Sequence, residues 1–244
     1  MHGLVDDDAS WSSAHRLMRI IDHVDPALAF FRGDRYLDCH VVVEADALPP
    51  GPCLFVGFHY GNAFWTLRHL RRLGYRASFL AANVTARQCP GQPLRLRFMR
   101  FRKRCVERAS GAPVILVGGS RERIASALRG GTSVVGLIDV PEATHSTRVE
   151  LLGQSLQWPD GLLQIAQDAG VPVVAFIATL DGHGARRIRL RTMPADPAHA
   201  MQALAALLDD AVRSESSAWH LWAEWTRFSA EGRPSQGGGK ARVR

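Results

Sequence analysis

The stretch Cys53 to Arg68, CLFVGFHYGNAFWTLR, holds the residues best suited to chemistry. A mostly apolar run, Cys53 to Gly57, has the character of a strand buried in a parallel sheet. Phe58 and His59 follow where that strand must end. Gly61 and Asn62 tolerate tight turns and cap helices. From Ala63 onward, Phe64, Leu67 and Leu70 recur at helical spacing, with Arg68, Arg71 and Arg72 between them. The order is strand, sharp turn bearing a histidine, then helix. Open α/β sheets place their chemistry there, outside the carboxyl ends of strands. Backbone N–H groups at the start of such a helix are positioned to hold a developing negative charge. The bland alternative for His59 is a buried core histidine, and the neighbouring Gly-Asn weighs against it.

The elements that must position this turn are readable along the chain. Ser10 to Ile21 is expected to form a helix, with a second short helix restarting at Asp25-Pro26 and running through Phe31. Leu37 to Val43 is β-rich and is expected to be a strand. Strands are also expected at Arg76–Ala82, Pro113–Val117, Ser133–Ile138, Val149–Leu152, Val171–Ala178 and, as an edge or half-exposed strand, Arg186–Arg191. Helices are expected at Gln92–Glu107, Arg121–Arg129 with Ser120 as its cap, Pro159–Asp168 and Pro197–Arg213. The aromatic segment Trp219 to Phe228 is expected to pack back on the core. Alternation of strands and helices predicts a single α/β domain over residues 1–231, with a mixed, mostly parallel sheet and helices on both faces. Residues 232–244, Gly-rich and basic, read as a disordered tail. Asp139 closes the buried strand Ser133–Ile138, so it is a site candidate by the same geometric rule as His59.

The chain has 244 residues, ample for one large domain, and 46% apolar and 22% charged content is ordinary for a globular protein. Its net charge of +7 comes mostly from arginine and favours acidic partners such as phosphate, an anionic membrane face or an acidic carrier protein. Nothing beyond that charge suggests nucleic-acid binding. The four cysteines show neither C-x-x-C nor zinc spacing, so no metal site is expected; Cys39 and Cys53 read as reduced core residues in strands. The N-terminus lacks the order of a signal peptide. The uncharged run Ala47–Leu67 is broken by prolines and glycines and is rejected as a membrane span. A cytoplasmic protein, at most peripheral to a membrane, is expected. The helix over Gln92–Glu107 is dense in arginine, including Arg102 and Arg104. It reads either as a solvated face or as a cationic rim for a phosphate or carrier protein. Gly-x-Ser-x-Gly is absent, and Gly118-Gly119-Ser120 lacks dinucleotide-loop spacing.

Taken in order, these residues resemble the late acyltransferases of lipid A synthesis and the wider lysophospholipid acyltransferase group. His59-Tyr60-Gly61-Asn62 resembles the H-F-G-N that opens the family's H-x4-D/E motif. Gln92-Pro93-Leu94 followed by arginines is similar to its N-P-L segment, and Asp139 falls where the family has an aspartate after a buried strand. Val149-Glu150-Leu151-Leu152-Gly153 resembles its V-x-F-F-G turn. Trp158-Pro159-Asp160-Gly161 to Ala166 resembles a helix start of the family, and His220-Leu221-Trp222 to Arg227-Phe228 its closing Y-x-W…R-F.

The resemblance implies a glycerolipid-acyltransferase-like fold and transfer of a fatty or polyketide-type acyl group. The donor would be a thioester of acyl-carrier protein or coenzyme A, and the acceptor a hydroxyl or amine on a small molecule or lipid, with no further cofactor. His59 would be the general base. Tyr60, Gly61, Asn62 and Phe64 would line the substrate, with N–H groups near Gly61 and Asn62 holding the oxyanion. Arg102 and Arg104 would meet the acidic donor or a phosphate. The chain departs from the family at Phe64, where the motif carboxylate belongs. By analogy with catalytic triads, losing the partner of such an imidazole costs about 10⁴-fold in rate. Asp139 and Glu142 are the expected replacements, because the strand ending at Ile138 should neighbour the one ending at Phe58. The departure leaves two alternatives: a non-catalytic homologue that binds an acyl chain or carrier protein, or a thioesterase or cyclase using the same pocket. The family's N-terminal anchor has no counterpart in the sequence, which suits a soluble acceptor or a docking surface.

Overall fold

The computed structural model describes residues 7–85, 87, 89–140, 146–181 and 183–228. Helix α1 (Asp8–Arg32) starts at an Asp7 cap, whose carboxylate accepts from the N–H groups of Ala9 and Ser10. It runs unbroken through Pro26, where two helices were expected. Proline offers no N–H to the carbonyl of Asp22, four residues earlier. Arg102 Nη1 donates to that carbonyl at 3.1 Å, and Arg102 Nη2 to the Asp22 carboxylate at 2.9 Å. A side chain from another helix thus replaces the missing backbone donor, and the helix continues.

Next come α2 (Asp34–His40) and β1 (Val41–Ala45). The strand expected at Leu37–Val43 is therefore half helix. Asp34 and Asp38 pair with Arg68 and Arg72 across the helix interface, and only helical spacing brings both carboxylates to one face. Cys39 consequently sits exposed on a helix, whereas Cys53 is buried and its thiol is pushed up to about 11 by that burial. The chain continues through β2 (Leu54–Gly57), α3 (Phe64–Arg72), β3 (Ala77–Ala81), α4 (Pro93–Ser110) and β4 (Ile115–Leu116). Then follow α5 (Arg121–Arg129), β5 (Ser133–Leu137), β6 (Ser146–Leu151), β7 (Gln154–Pro159), α6 (Gly161–Asp168), β8 (Val173–Leu180) and β9 (Arg186–Thr192). Helix α7 (Pro197–Ser214), two 3-10 turns and the short α8 (Trp225–Phe228) complete the described chain. Ser120 precedes α5 as expected but makes no side-chain cap bond.

Seven strands form one sheet in the order β1-β9-β8-β2-β5-β3-β4, and every neighbouring pair is parallel except β8 and β9. The fold is α/β with a mixed, mostly parallel sheet. β9 lies between β1 and β8 rather than at an edge, and alternates buried Ile188 and Leu190 with solvated arginines. β6 and β7 form a separate antiparallel hairpin. Its two-residue turn, Leu152-Gly153, has φ of 53° and 74°, the left-handed geometry that suits a hairpin's twist. Two apolar cores lie on opposite faces of the sheet. One gathers residues of α5, α6, α7, the hairpin and the C-terminal aromatics; the other gathers α1, α3 and α4. β2 serves both, with Leu54 and Val56 in one core and Phe55 in the other, all fully buried. Trp219 and Phe228 pack on the first core as expected. Glu142 and the expected tail 232–244 lie outside the described residues. Among the described residues, no helix is long and apolar enough to cross a membrane.

Candidate active site

β2 and β5 run side by side in parallel, with Gly57 opposite Leu137. His59 and Asp139 each lie two residues beyond that pair, at equivalent places past the carboxyl ends of central strands. The imidazole Nδ1 is 2.9 Å from Asp139 Oδ1. The backbone N–H of His59 donates to both carboxylate oxygens at 2.9 Å, and the indole Nε1–H of Trp219 donates to Oδ2 at 2.9 Å. The carboxylate is fully buried, so these donors replace water around it. Because a carboxylate only accepts, the proton of the neutral ring sits on Nδ1. Nε2 has no hydrogen-bond partner among the described residues.

Burial is the largest influence on the imidazole and lowers its pKa. The hydrogen bond and charge of Asp139, with a smaller contribution from Asp22, outweigh burial and the opposing Arg102, so the ring sits above its ordinary 6.5. The His59 side chain is 35% exposed. It lines a cavity of about 1000 Å³ whose wall is largely apolar, with Phe79, Leu80, Met99, Val106 and Leu162 among its residues. Arg100, Arg102, Lys103 and Arg121 supply positive charge to the same cavity.

The turn after His59 is fixed by its surroundings. Gly61 has φ of +62°, and a Cβ there would sit 1.8 Å from the Ala178 carbonyl oxygen of β8, so only glycine fits. Its N–H donates to the Ala218 carbonyl at 2.8 Å, and its carbonyl lies 2.7 Å from His220 Nε2. The His220 N–H donates to the His59 carbonyl at 2.8 Å. The segment 218–220 therefore straps the histidine turn.

The structure corrects four sequence expectations. The Gly61 N–H is already engaged and is not free to hold an oxyanion. Tyr60 is buried, its hydroxyl donating to the Ala211 carbonyl at 2.8 Å. Asn62 is fully buried, its Nδ2 donating to Asp25 Oδ2 at 2.7 Å beside the Arg186–Asp25 ion pair. Phe64 belongs to the α1–α3–α4 core. These residues shape the turn; they do not face the cavity. Of the two arginines, Arg102 lines the cavity and is tied to Asp22, whereas Arg104 is exposed and does not line it. Trp219 was legible only as a packing residue, since nothing local marks an indole as the partner of a carboxylate 80 positions away.

Neither a protein-family model nor a curated protein matches the chain.

Proposed function

We propose that this protein is an acyltransferase of the glycerolipid-acyltransferase-like type. It moves a fatty or polyketide-type acyl group from a thioester of acyl-carrier protein or coenzyme A to a hydroxyl or amine. The carrying observation is the His59–Asp139 pair beside a large, mostly apolar cavity. His59 Nε2 takes the proton of the acceptor O–H or N–H as that atom attacks the thioester carbonyl. Collapse of the tetrahedral intermediate breaks the C–S bond, and the imidazolium returns its proton to the departing thiolate. Asp139 stabilises the imidazolium and holds the ring with Nε2 free. The apolar wall suits an acyl chain, and the cationic residues suit a phosphate-bearing or acidic donor. The reading suits a cytoplasmic protein, at most peripheral to the inner membrane.

The non-catalytic alternative drew its force from Phe64, because an imidazole without a carboxylate is a poor base. Asp139, just past the carboxyl end of β5, supplies a carboxylate to the ring, which removes that objection. The test incubates purified protein with acyl-loaded carrier proteins and cell extract and follows acyl loss and product by intact-mass spectrometry. Transfer by wild type and its loss in His59→Ala is expected. Equal turnover by the two would refute His59 as base, and free acid as sole product would move the assignment to a thioesterase.

A further inference from the structure

A second cavity, of about 480 Å³, shares no residue with the one beside His59. Its wall is Asp34, Arg68, Arg71, Arg72 and Arg108. Helix α3 starts past the carboxyl end of β2 and runs back along the sheet, carrying its three arginines away from the histidine turn. Arg71 packs against Gly111, which bridges Ala77 at the amino end of β3. The cavity therefore lies toward the end of the sheet opposite the His59–Asp139 pair. Its guanidinium groups are held in place, largely by neutral groups. Arg68 Nη1 donates to the Ala29 carbonyl at 2.7 Å and its Nε to Asp34 at 2.8 Å. Arg71 Nη1 donates to the Arg108 carbonyl, and Arg108 Cζ stands 4.4 Å from the centre of the Phe30 ring. Arg72 pairs with Asp38. Arg71 and Arg108 have no carboxylate partner among the described residues. The four arginines thus exceed their paired carboxylates, Asp34 and Asp38, by two charges. Capping of α4 explains the bond from Arg71 to the Arg108 carbonyl. It does not explain three further guanidinium groups around the same hollow.

We propose that this cavity is a binding site for a diphosphate group, free or carried on a nucleoside. Guanidinium forks meet phosphate oxygens two at a time, and forks already held in place lose little freedom on binding. All four cations of the wall are arginines, not lysines. Gathered like charges repel one another, and an anion between them relieves that repulsion. A single phosphoryl group carries about −1.5 to −2 charges at neutral pH, which already balances the excess. The volume calls for a larger ligand: a water takes about 30 Å³ of liquid, and a hollow of about 480 Å³ exceeds what one phosphoryl group fills. A diphosphate supplies both the charge and the size. The inference does not rest on acyl transfer, because the two cavities are separate.

The test titrates the full chain with pyrophosphate, ADP, inorganic phosphate and sulfate by isothermal calorimetry at fixed ionic strength. Wild type is expected to bind pyrophosphate or ADP at one saturable site, at least about tenfold tighter than phosphate or sulfate. ADP bound more tightly than pyrophosphate assigns a nucleoside diphosphate, and the reverse order or equality assigns the free anion. Arg71→Gln with Arg108→Gln should weaken the binding at least about tenfold. Arg71→Lys with Arg108→Lys should recover only part of it, since lysine keeps the charge and loses the fork. Both positions are exposed, and melting curves check the fold of the variants. A readout on wild type alone is its melting temperature, which pyrophosphate or ADP should raise and sulfate should not. No saturable binding by wild type, phosphate or sulfate bound as tightly, or equal binding by the Gln variant overturns the inference. So does loss of binding in Arg100→Gln with Lys103→Gln, which would put the anion in the His59 cavity.

Discussion

His59 and Asp139 are held together by the register of two parallel strands: each follows by two residues the paired positions Gly57 and Leu137, and the ring meets the carboxylate at 2.9 Å. The carboxylate comes from just past the carboxyl end of the neighbouring strand β5, and position 64, five residues after the histidine, holds a core phenylalanine on α3.

That pairing fixes the direction of the His59 pKa. In Asp139→Asn the raising influences of hydrogen bond and charge are lost while burial remains, so the ring should titrate below 6.5 instead of above it. Histidine-resolved NMR across pH checks this. The sign for stability follows. Because the folded pKa is raised, protonated His59 stabilises the fold fully below about 6.5 and loses that contribution as pH rises through the folded value. The stability difference between wild type and His59→Gln should shrink over that window, measured by denaturant unfolding.

Trp219→Phe removes one of the donors to a carboxylate with no access to water. It should cost about 1–3 kcal/mol in denaturant unfolding. Because the carboxylate loses a fixed anchor, turnover should also fall, with the pH profile displaced. A merely structural indole would change stability and leave the profile in place.

Gly61→Ala should be poorly tolerated. The new methyl meets the Ala178 carbonyl oxygen of β8 at 1.8 Å, and the backbone is held at a φ of +62°. A loss of about 2 kcal/mol or more is expected from the clash and strain together. Thermal melting with the His59 NMR signal as a second readout checks it, since the ring should lose its fixed environment.

Phe64→Glu does not restore a dyad. Position 64 is 5% exposed within an apolar core, so a carboxylate there finds no partner and should destabilise by several kcal/mol. Acyl transfer should fall or vanish. A rise in rate without loss of stability would mean that Phe64 faces the imidazole.

The positions of His59 and Asp139 were legible because buried parallel strands read as short apolar runs, and their carboxyl ends mark where side chains converge. The strap over the turn was not, because its hydrogen bonds run between backbone groups of segments remote in sequence. The hairpin strand β7 was hidden by Trp158-Pro159-Asp160, which reads as a helix start. Its alternation of buried Leu156 and Trp158 with outward polar residues is a period-2 signal overridden by that local cue. α2 was misread because Val41 to Val43 pulled the strand reading backward. Asp34 and Asp38, four apart, were the counter-signal, but only pairing with Arg68 and Arg72 gives it meaning.

The most direct test of the His59–Asp139 pair is the pH dependence of single-turnover acyl transfer in wild type and Asp139→Asn. A base that acts when neutral gives wild type a rate that rises with pH through an inflection above 6.5. In Asp139→Asn the rate should drop by up to about 10⁴-fold, with its inflection displaced to lower pH. Matching rates and profiles in the two proteins would contradict the pairing as the source of catalysis.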